Sequence, residues 1–274
     1  MSSTALTILE LTEDCADIWT GESPAEPPWI YGGQAVAQSL VAATRTVEGD
    51  RHVNSMHCAF LREGDPNQPV RYQVDRLRDG RAFSSRSVTA RQQDRVIFTM
   101  TCTFHRTEIT GVEHQLPPPD VDPPDGTPSS VPSEQDRGWP SWLLGRDDID
   151  LRFARGPLMD AERGEQLIWA RVVVPPPEDV RLHACLWAYV SDLTLLLSVR
   201  HHHEPNHLSR KWSTKTLDHS LWFHRPFRAD DWLLIHQHSP VAHAGRGLTR
   251  AVVYDRAGIL VCSMAQEGVV REIR

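Results

Sequence analysis

Two stretches of the chain alternate apolar and polar residues in nearly the same order. Arg95-Val96-Ile97-Phe98-Thr99-Met100-Thr101-Cys102-Thr103 closes the first half, and Ile259-Leu260-Val261-Cys262-Ser263-Met264-Ala265-Gln266-Glu267 closes the second. Pairing Val96 with Leu260 sets an offset of 164 residues (260 − 96); there Phe98 meets Cys262, Thr99 meets Ser263, Met100 meets Met264 and Arg86 meets Arg250. Alternation with a period of two predicts strands with one buried face. A repeat this long, in two copies, excludes a solenoid and predicts a duplicated module.

The elements around these strands repeat as well. In the first half, residues 6–11 and the stretch around Ile18 are strand-like. Residues 33–47 place Val36, Leu40, Val41 and Ala43 at helical spacing, with Ala37 and Ala42 between them. That breadth of apolar stripe predicts a helix packed deep against a sheet. Strands follow at 52–61, 70–77, 83–91 and 95–105, punctuated by Asp79-Gly80 and Gln93-Asp94. In the second half, 166–174 is strand-like, 184–199 predicts one apolar helix, and strands follow at 216–224, 232–238, 247–255 and 259–268. Between the halves, 115–141 is dense in proline and lacks an apolar period, which predicts an extended connector. The expected organisation is a first module at 1–114, a connector at 115–145 and a second module at 146–274. A helix apolar nearly all round requires a sheet curled around it, so the fold class is α+β, a tandem (double) hotdog.

At 274 residues the chain can bury one or two cores. A net charge of −7 argues against wholesale nucleic-acid binding, while leaving room for an anionic small ligand at local arginines. The five cysteines (Cys15, Cys58, Cys102, Cys185, Cys262) lack paired spacing and read as thiols in a reducing compartment. The first residues show no signal pattern, and Asp192 interrupts the most apolar run, which is too short to span a bilayer. The last residues, Arg271-Glu272-Ile273-Arg274, are not a peroxisomal address. The expectation is a cytoplasmic protein.

Few residues break the pattern in a way that suggests chemistry. Asp192 stands in Trp187-Ala188-Tyr189-Val190-Ser191-Asp192-Leu193-Thr194-Leu195-Leu196-Leu197, and the helix of the first half has no carboxylate before Glu48. A buried charge needs dedicated partners; otherwise Asp192 caps a helix or faces solvent. A place near a helix N-terminus would keep it ionised. Gln266 shares a strand face with Leu260, Cys262 and Met264, where the first half has only apolar residues, so it is either an amide facing the core or a strand-end residue. Thr216 opens a strand in which a threonine is commonly packing. Asp218, His219 and Ser220 are adjacent, so alternation splits them between two faces and they cannot form a hydrolase triad alone. His201-His202-His203, with His207, reads as a solvated loop and not a metal site, and His236 and His238 read as rim residues. Arg78, Arg81, Arg86, Arg246 and Arg250 gather at two equivalent turns, as phosphate contacts or as solvated strand ends.

The chain resembles the type II (TesB-like) acyl-CoA thioesterases. The resemblance rests on Tyr31-Gly32-Gly33-Gln34, Phe60-Leu61-Arg62-Glu63-Gly64-Asp65 and Leu77-Arg78-Asp79-Gly80-Arg81-Ala82-Phe83-Ser84 in the first half. In the second it rests on Ser191-Asp192-Leu193, Leu217-Asp218-His219-Ser220-Leu221-Trp222-Phe223-His224-Arg225-Pro226-Phe227 and Gln266-Glu267-Gly268-Val269-Val270-Arg271. The resemblance implies hydrolysis of acyl-CoA to a carboxylic acid and CoA, by a water positioned by an aspartate, a threonine and a glutamine. These fall on Asp192, Thr216 (with Thr214 its neighbour along the strand) and Gln266. It implies no cofactor, no metal, no nucleic-acid partner and a homo-oligomer. Backbone N–H groups at a helix start, including Gly32 or Gly33, would steady the oxyanion, and Arg78, Arg81, Arg246 and Arg250 would meet the phosphates of CoA. Two rivals remain: a non-catalytic acyl-CoA-binding protein, and a hotdog enoyl-CoA hydratase, whose Asp-x-x-x-x-His motif in glycine-rich surroundings does not occur in this sequence.

Overall fold

The computed structural model describes residues 4–24, 28–106, 111–127, 148–154, 165–173, 175–203 and 212–273. The strands of the first half are β1 (Leu11–Cys15), β2 (Ile18–Gly21), β3 (Arg51–Phe60), β4 (Val70–Asp79), β5 (Phe83–Gln92) and β6 (Arg95–Arg106). Those of the second are β7 (Ile149–Phe153), β8 (Glu165–Val172), β9 (Trp212–Phe223), β10 (Leu233–His243), β11 (Arg246–Asp255) and β12 (Leu260–Glu272). All join one antiparallel sheet in the order β1-β2-β4-β5-β6-β3-β9-β12-β11-β10-β8-β7. The halves meet at its centre, where Ser55 of β3 lies opposite Trp222 of β9 and Ala59 opposite Asp218. Adding 164 to the starts of β4, β5 and β6 gives 234, 247 and 259, against observed starts of 233, 246 and 260 for β10, β11 and β12. The strand β7 was not singled out by the pattern; its Ile149, Leu151 and Phe153 all face inward.

The first-half helix is α2 (Gly32–Thr44), and every residue from 33 to 43 is buried. Its apolar residues pack against β3, β4, β5 and β6. The predicted first strand at 6–11 is instead a short helix, α1 (Thr4–Thr7), with a turn before β1. The helical turn puts Ala5, Ile8 and Leu9 on one buried face, whereas Leu6 and Ile8, and Leu9 and Leu11, stand two residues apart and so mimic a short strand.

The apolar run at 184–199 is not one helix. It divides into α3 (Val180–Val190), a turn at 191–194 and α4 (Leu195–His203). Polar side chains compete for the helix backbone there. The Ser191 hydroxyl donates to the Ala188 carbonyl at 2.9 Å. Gln237, buried on β10, donates to the Thr194 carbonyl at 3.0 Å and accepts from the Thr194 hydroxyl at 3.0 Å. Beyond the turn, α4 closes directly onto the sheet. A Cβ at Gly268 would lie 2.6 Å from Leu196, and one at Gly247 would press into Val199, so glycine at both positions lets the helix sit this close without a shift of those side chains. The three histidines 201–203 therefore end a helix and do not form a loop. His207 lies outside the described residues, among which no metal-binding group of His, Cys, Asp or Glu occurs.

Residues 115–125 of the connector are pinned across the outer face of the second-half sheet. Gln115 accepts from the Leu260 N–H at 3.1 Å and from Arg225 at 3.2 Å, and donates to the Gly258 carbonyl at 2.8 Å. The Trp169 indole donates to the Asp122 carbonyl at 3.0 Å, and the Tyr254 hydroxyl to that of Pro117 at 3.2 Å. Beneath lies a second apolar cluster of Leu167, Trp169, Trp232, Leu234, Tyr254 and Leu260. Proline suits such a strap, because a chain short of N–H donors does not add to a sheet as another strand.

Candidate active site

Three elements of the second half bring Asp192, Thr216 and Gln266 together. Asp192 sits in the turn between α3 and α4, held there by the competition that breaks the helix. Gln266 is buried on the inner face of β12. Thr216 reaches the same face through a bulge in β9. Gln266 pairs with His219 and Glu267 with Asp218, but Gly268 pairs with Thr216, which leaves Leu217 as the extra residue. Simple alternation would put Thr216 and His219 on opposite faces; the bulge turns both inward. Asp218 and Ser220 stay on the outer face, where Ser220 meets His57 Nδ1 at 3.1 Å, so no hydrolase triad forms among these neighbours.

The three side chains are mutually hydrogen-bonded. Gln266 Nε2 donates to Asp192 Oδ1 and lies equally close to Thr216 Oγ1, at 2.8 Å each. Thr216 donates to Asp192 Oδ1 at 3.1 Å. A fourth contribution crosses from the first half: the Gly33 N–H, at the start of α2, donates to the Asp192 carboxylate. A Cβ at Gly32 would stand 2.5 Å from Asp192 Oδ2 and 3.0 Å from Phe60, so only glycine lets the carboxylate approach this helix end. The α2 N-terminus has no side-chain cap, whereas that of α3 is capped by Asp179, which accepts from the Arg181 N–H at 2.9 Å. The Tyr31 hydroxyl donates to the Tyr189 carbonyl at 3.0 Å and fixes the two helix ends against each other.

Asp192 was expected to be held ionised by a helix N-terminus. Its pKa is instead raised, to about 7, because burial outweighs the lowering by Thr216, Gln266 and Gly33. A carboxylate with that pKa is poised to exchange a proton near neutrality. Two neighbours, named in the sequence as a reduced thiol and as part of the Asp-His-Ser run, were not placed at the site. The buried thiol of Cys58 on β3 is pushed well above its ordinary pKa, so it stays protonated and is not a nucleophile at neutral pH. His219 is fully buried, and burial lowers its pKa to about 3, leaving a neutral ring.

The arginines divide. Arg86 is buried and bonds Thr46, Asp79 and the Arg78 and Ser85 carbonyls, so it is spent inside the first half. Arg78, Arg81, Arg246 and Arg250 are exposed. Arg246 pairs with Glu267 at 3.3 Å. Four central strands separate the β4–β5 turn from β11, so the two arginine pairs do not form one cluster.

A long buried helix under a large antiparallel sheet, with a polar set at the helix start, is the architecture of the hotdog-fold thioesterases. The same fold is found in a hot dog protein of Alicyclobacillus acidocaldarius, with a TM-score of 0.82 over 100% of both chains at 19% identity. The chain is also similar to the solved acyl-CoA thioesterase II TesB2 of Mycobacterium marinum, with a TM-score of 0.81, 37% identity and 98% of each chain covered. It is 36% identical to acyl-coenzyme A thioesterase 8 of Homo sapiens, over 97% of this chain and 88% of that one. Residues 149–269 match the Acyl-CoA thioesterase family and residues 22–105 the Acyl-CoA thioesterase N-terminal domain. The chain belongs to the acyl-CoA thioesterase family, a family of hydrolases.

Proposed function

We propose that this chain hydrolyses acyl-CoA to a free carboxylic acid and CoA by direct attack of a water held by Asp192, Thr216 and Gln266. The observation that carries the reading is the meeting of these three side chains, within 2.8–3.1 Å of one another, at the uncapped start of α2. A thioester carbonyl is electrophilic and its thiolate leaves readily, so no metal is required. The ionised Asp192 takes a proton from the water as its oxygen bonds to the carbonyl carbon. Thr216 and Gln266 fix the direction of attack. The start of α2 supplies the Gly32 N–H and positive potential to the oxyanion, the Gly33 N–H being held by Asp192, and the oxyanion then collapses and expels the CoA thiolate. No acyl-enzyme forms.

The strand order and the shared offset of 164 support a tandem pair of hotdog modules, at 1–114 and 146–274, with 115–145 as the connector. Arg78, Arg81, Arg246 and Arg250 are exposed as contacts to phosphate must be. Free thiols at Cys15, Cys58, Cys102, Cys185 and Cys262 fit a reducing, cytoplasmic setting. The working form in this proposal is a homo-oligomer.

The test is a CoA-release screen across short, medium, long and aromatic acyl-CoAs. Thiol release with at least one class supports hydrolysis. Binding without release would make the chain an acyl-CoA-binding protein, and turnover of trans-2-enoyl-CoA without thiol release would make it a hydratase.

A further inference from the structure

We propose that His219 is a positioning residue that fixes the orientation of the Gln266 amide, a role that rests on reading Asp192, Thr216 and Gln266 as the water-holding set. His219 is the cross-strand partner of Gln266. Its Nε2 lies 2.8 Å from the hydroxyl of Ser191, the residue before Asp192. On its other side, His219 Nδ1 and Gln266 Oε1 are both buried, and each is left without a hydrogen-bond partner unless it takes the other. The two residues face each other across β9 and β12, and the Gln266 side chain favours a proton on the ring against the lowering by burial.

Donor and acceptor types leave one consistent arrangement. Gln266 Oε1 only accepts, so the ring proton sits on Nδ1. Nε2 is then an acceptor, and the Ser191 hydroxyl is shared between it and the Ala188 carbonyl at 2.9 Å. With Oε1 tied to His219, the amide NH2 must face Asp192 and Thr216. A flipped amide would set its oxygen against Asp192 Oδ1 at the 2.8 Å now spanned by a donor, and would leave Nδ1–H facing an NH2 group. The bonds run from Ser191 through His219 and Gln266 to Asp192, a ring closed by the peptide link between Ser191 and Asp192. With its pKa lowered to about 3, the buried ring is a weak base that does not hold a proton near neutrality, which separates this role from that of Asp192.

The direct test is NMR of the full chain labelled with 15N-histidine. His219 is expected to stay neutral with its proton on Nδ1 from about pH 6 to 8; a proton on Nε2, or titration near the ordinary histidine pKa of about 6.5, would overturn the proposal. Kinetics give a second readout. His219→Leu should lower kcat about tenfold with KM little changed, the rate equivalent of one lost buried hydrogen bond. It should also move the acid limb of kcat/KM to higher pH, because a mobile amide no longer stabilises the Asp192 carboxylate. The other groups facing that carboxylate are unchanged: Gly33 N–H from α2, Cys58 from β3 and Thr216 from β9. His219→Asn, which can place an NH2 near Nδ1, should restore most of kcat and return the limb. Lost stability with an unmoved limb and full kcat per folded molecule would make His219 merely structural. If Asp192→Asn abolishes hydrolysis while His219→Leu leaves kcat unchanged, only this inference fails. If Asp192→Asn retains hydrolysis, the reading of the site fails. Should His219→Leu not fold, the tautomer in the unaltered protein decides.

Discussion

Replacing Asp192 by Asn should stabilise the protein while disabling it. The carboxyl ordinarily ionises near 3.8 and does so at about 7 in the fold. Between those values the folded chain holds a proton that the unfolded chain has released, so stability falls as pH rises through this window and levels above it. The gap of about 3 pH units (7 − 3.8) corresponds to an upper limit of about 4 kcal/mol, at 1.36 kcal/mol per unit. Asp192 is partly exposed, which screens the cost, and an Asn amide must turn its NH2 toward one of the donors that now face a carboxylate. A net gain of about 1–2 kcal/mol is the working figure. Urea denaturation of both proteins near pH 4 and near pH 8 measures it. Asn should be no more stable than Asp near pH 4, and its relative stability should rise toward pH 8 until it reaches that net gain, while CoA release falls by about 100-fold or more. An advantage that does not grow with pH, or a variant less stable at the higher pH, would refute the claim that desolvation of Asp192 sets its pKa.

Three further outcomes follow from the same geometry. The pH dependence of kcat/KM should rise through about 7 to a plateau, since the base must be ionised, and an acid limb near 4 would remove Asp192 from the role. Gly32→Ala puts a methyl 2.5 Å from Asp192 Oδ2 and should cut CoA release more than about tenfold, with the chain still folded by circular dichroism. Gln115→Ala removes three hydrogen bonds from the strap and should cost about 1–3 kcal/mol in thermal or urea unfolding, with kcat per folded molecule unchanged.

The large antiparallel sheet was legible because alternation is local: the offset of 164 read from residues 95–103 and 259–267 anticipates the starts of two other strands, β10 and β11, within one residue. The helix break at 191–194 was not, because the Gln237 amide that stabilises it arrives from β10, and apolar periodicity does not register a distant acceptor. Residues 6–11 misled because Leu6 and Ile8, and Leu9 and Leu11, stand two apart in a stretch too short for the helical period to show. At the site, Asp192 and Gln266 stood out as polar residues in apolar settings. Three features were hidden. The bulge at Leu217, which brings Thr216 and His219 to one face, exists only in the pairing with β12. The Gly33 N–H comes from the other half of the chain. The raised pKa of Asp192 depends on burial, which outweighs a nearby helix end that by itself favours the charged form.

The most direct measurement is CoA release by Asp192→Asn, Thr216→Val and Gln266→Ala, singly and in pairs, under saturating substrate. If the three side chains act on one water, each single change lowers kcat substantially, and each pair is scarcely worse than its more damaging member. Losses that multiply from one variant to the next, or near-normal turnover without the Asp192 carboxylate, would contradict attack by a water held jointly by these groups.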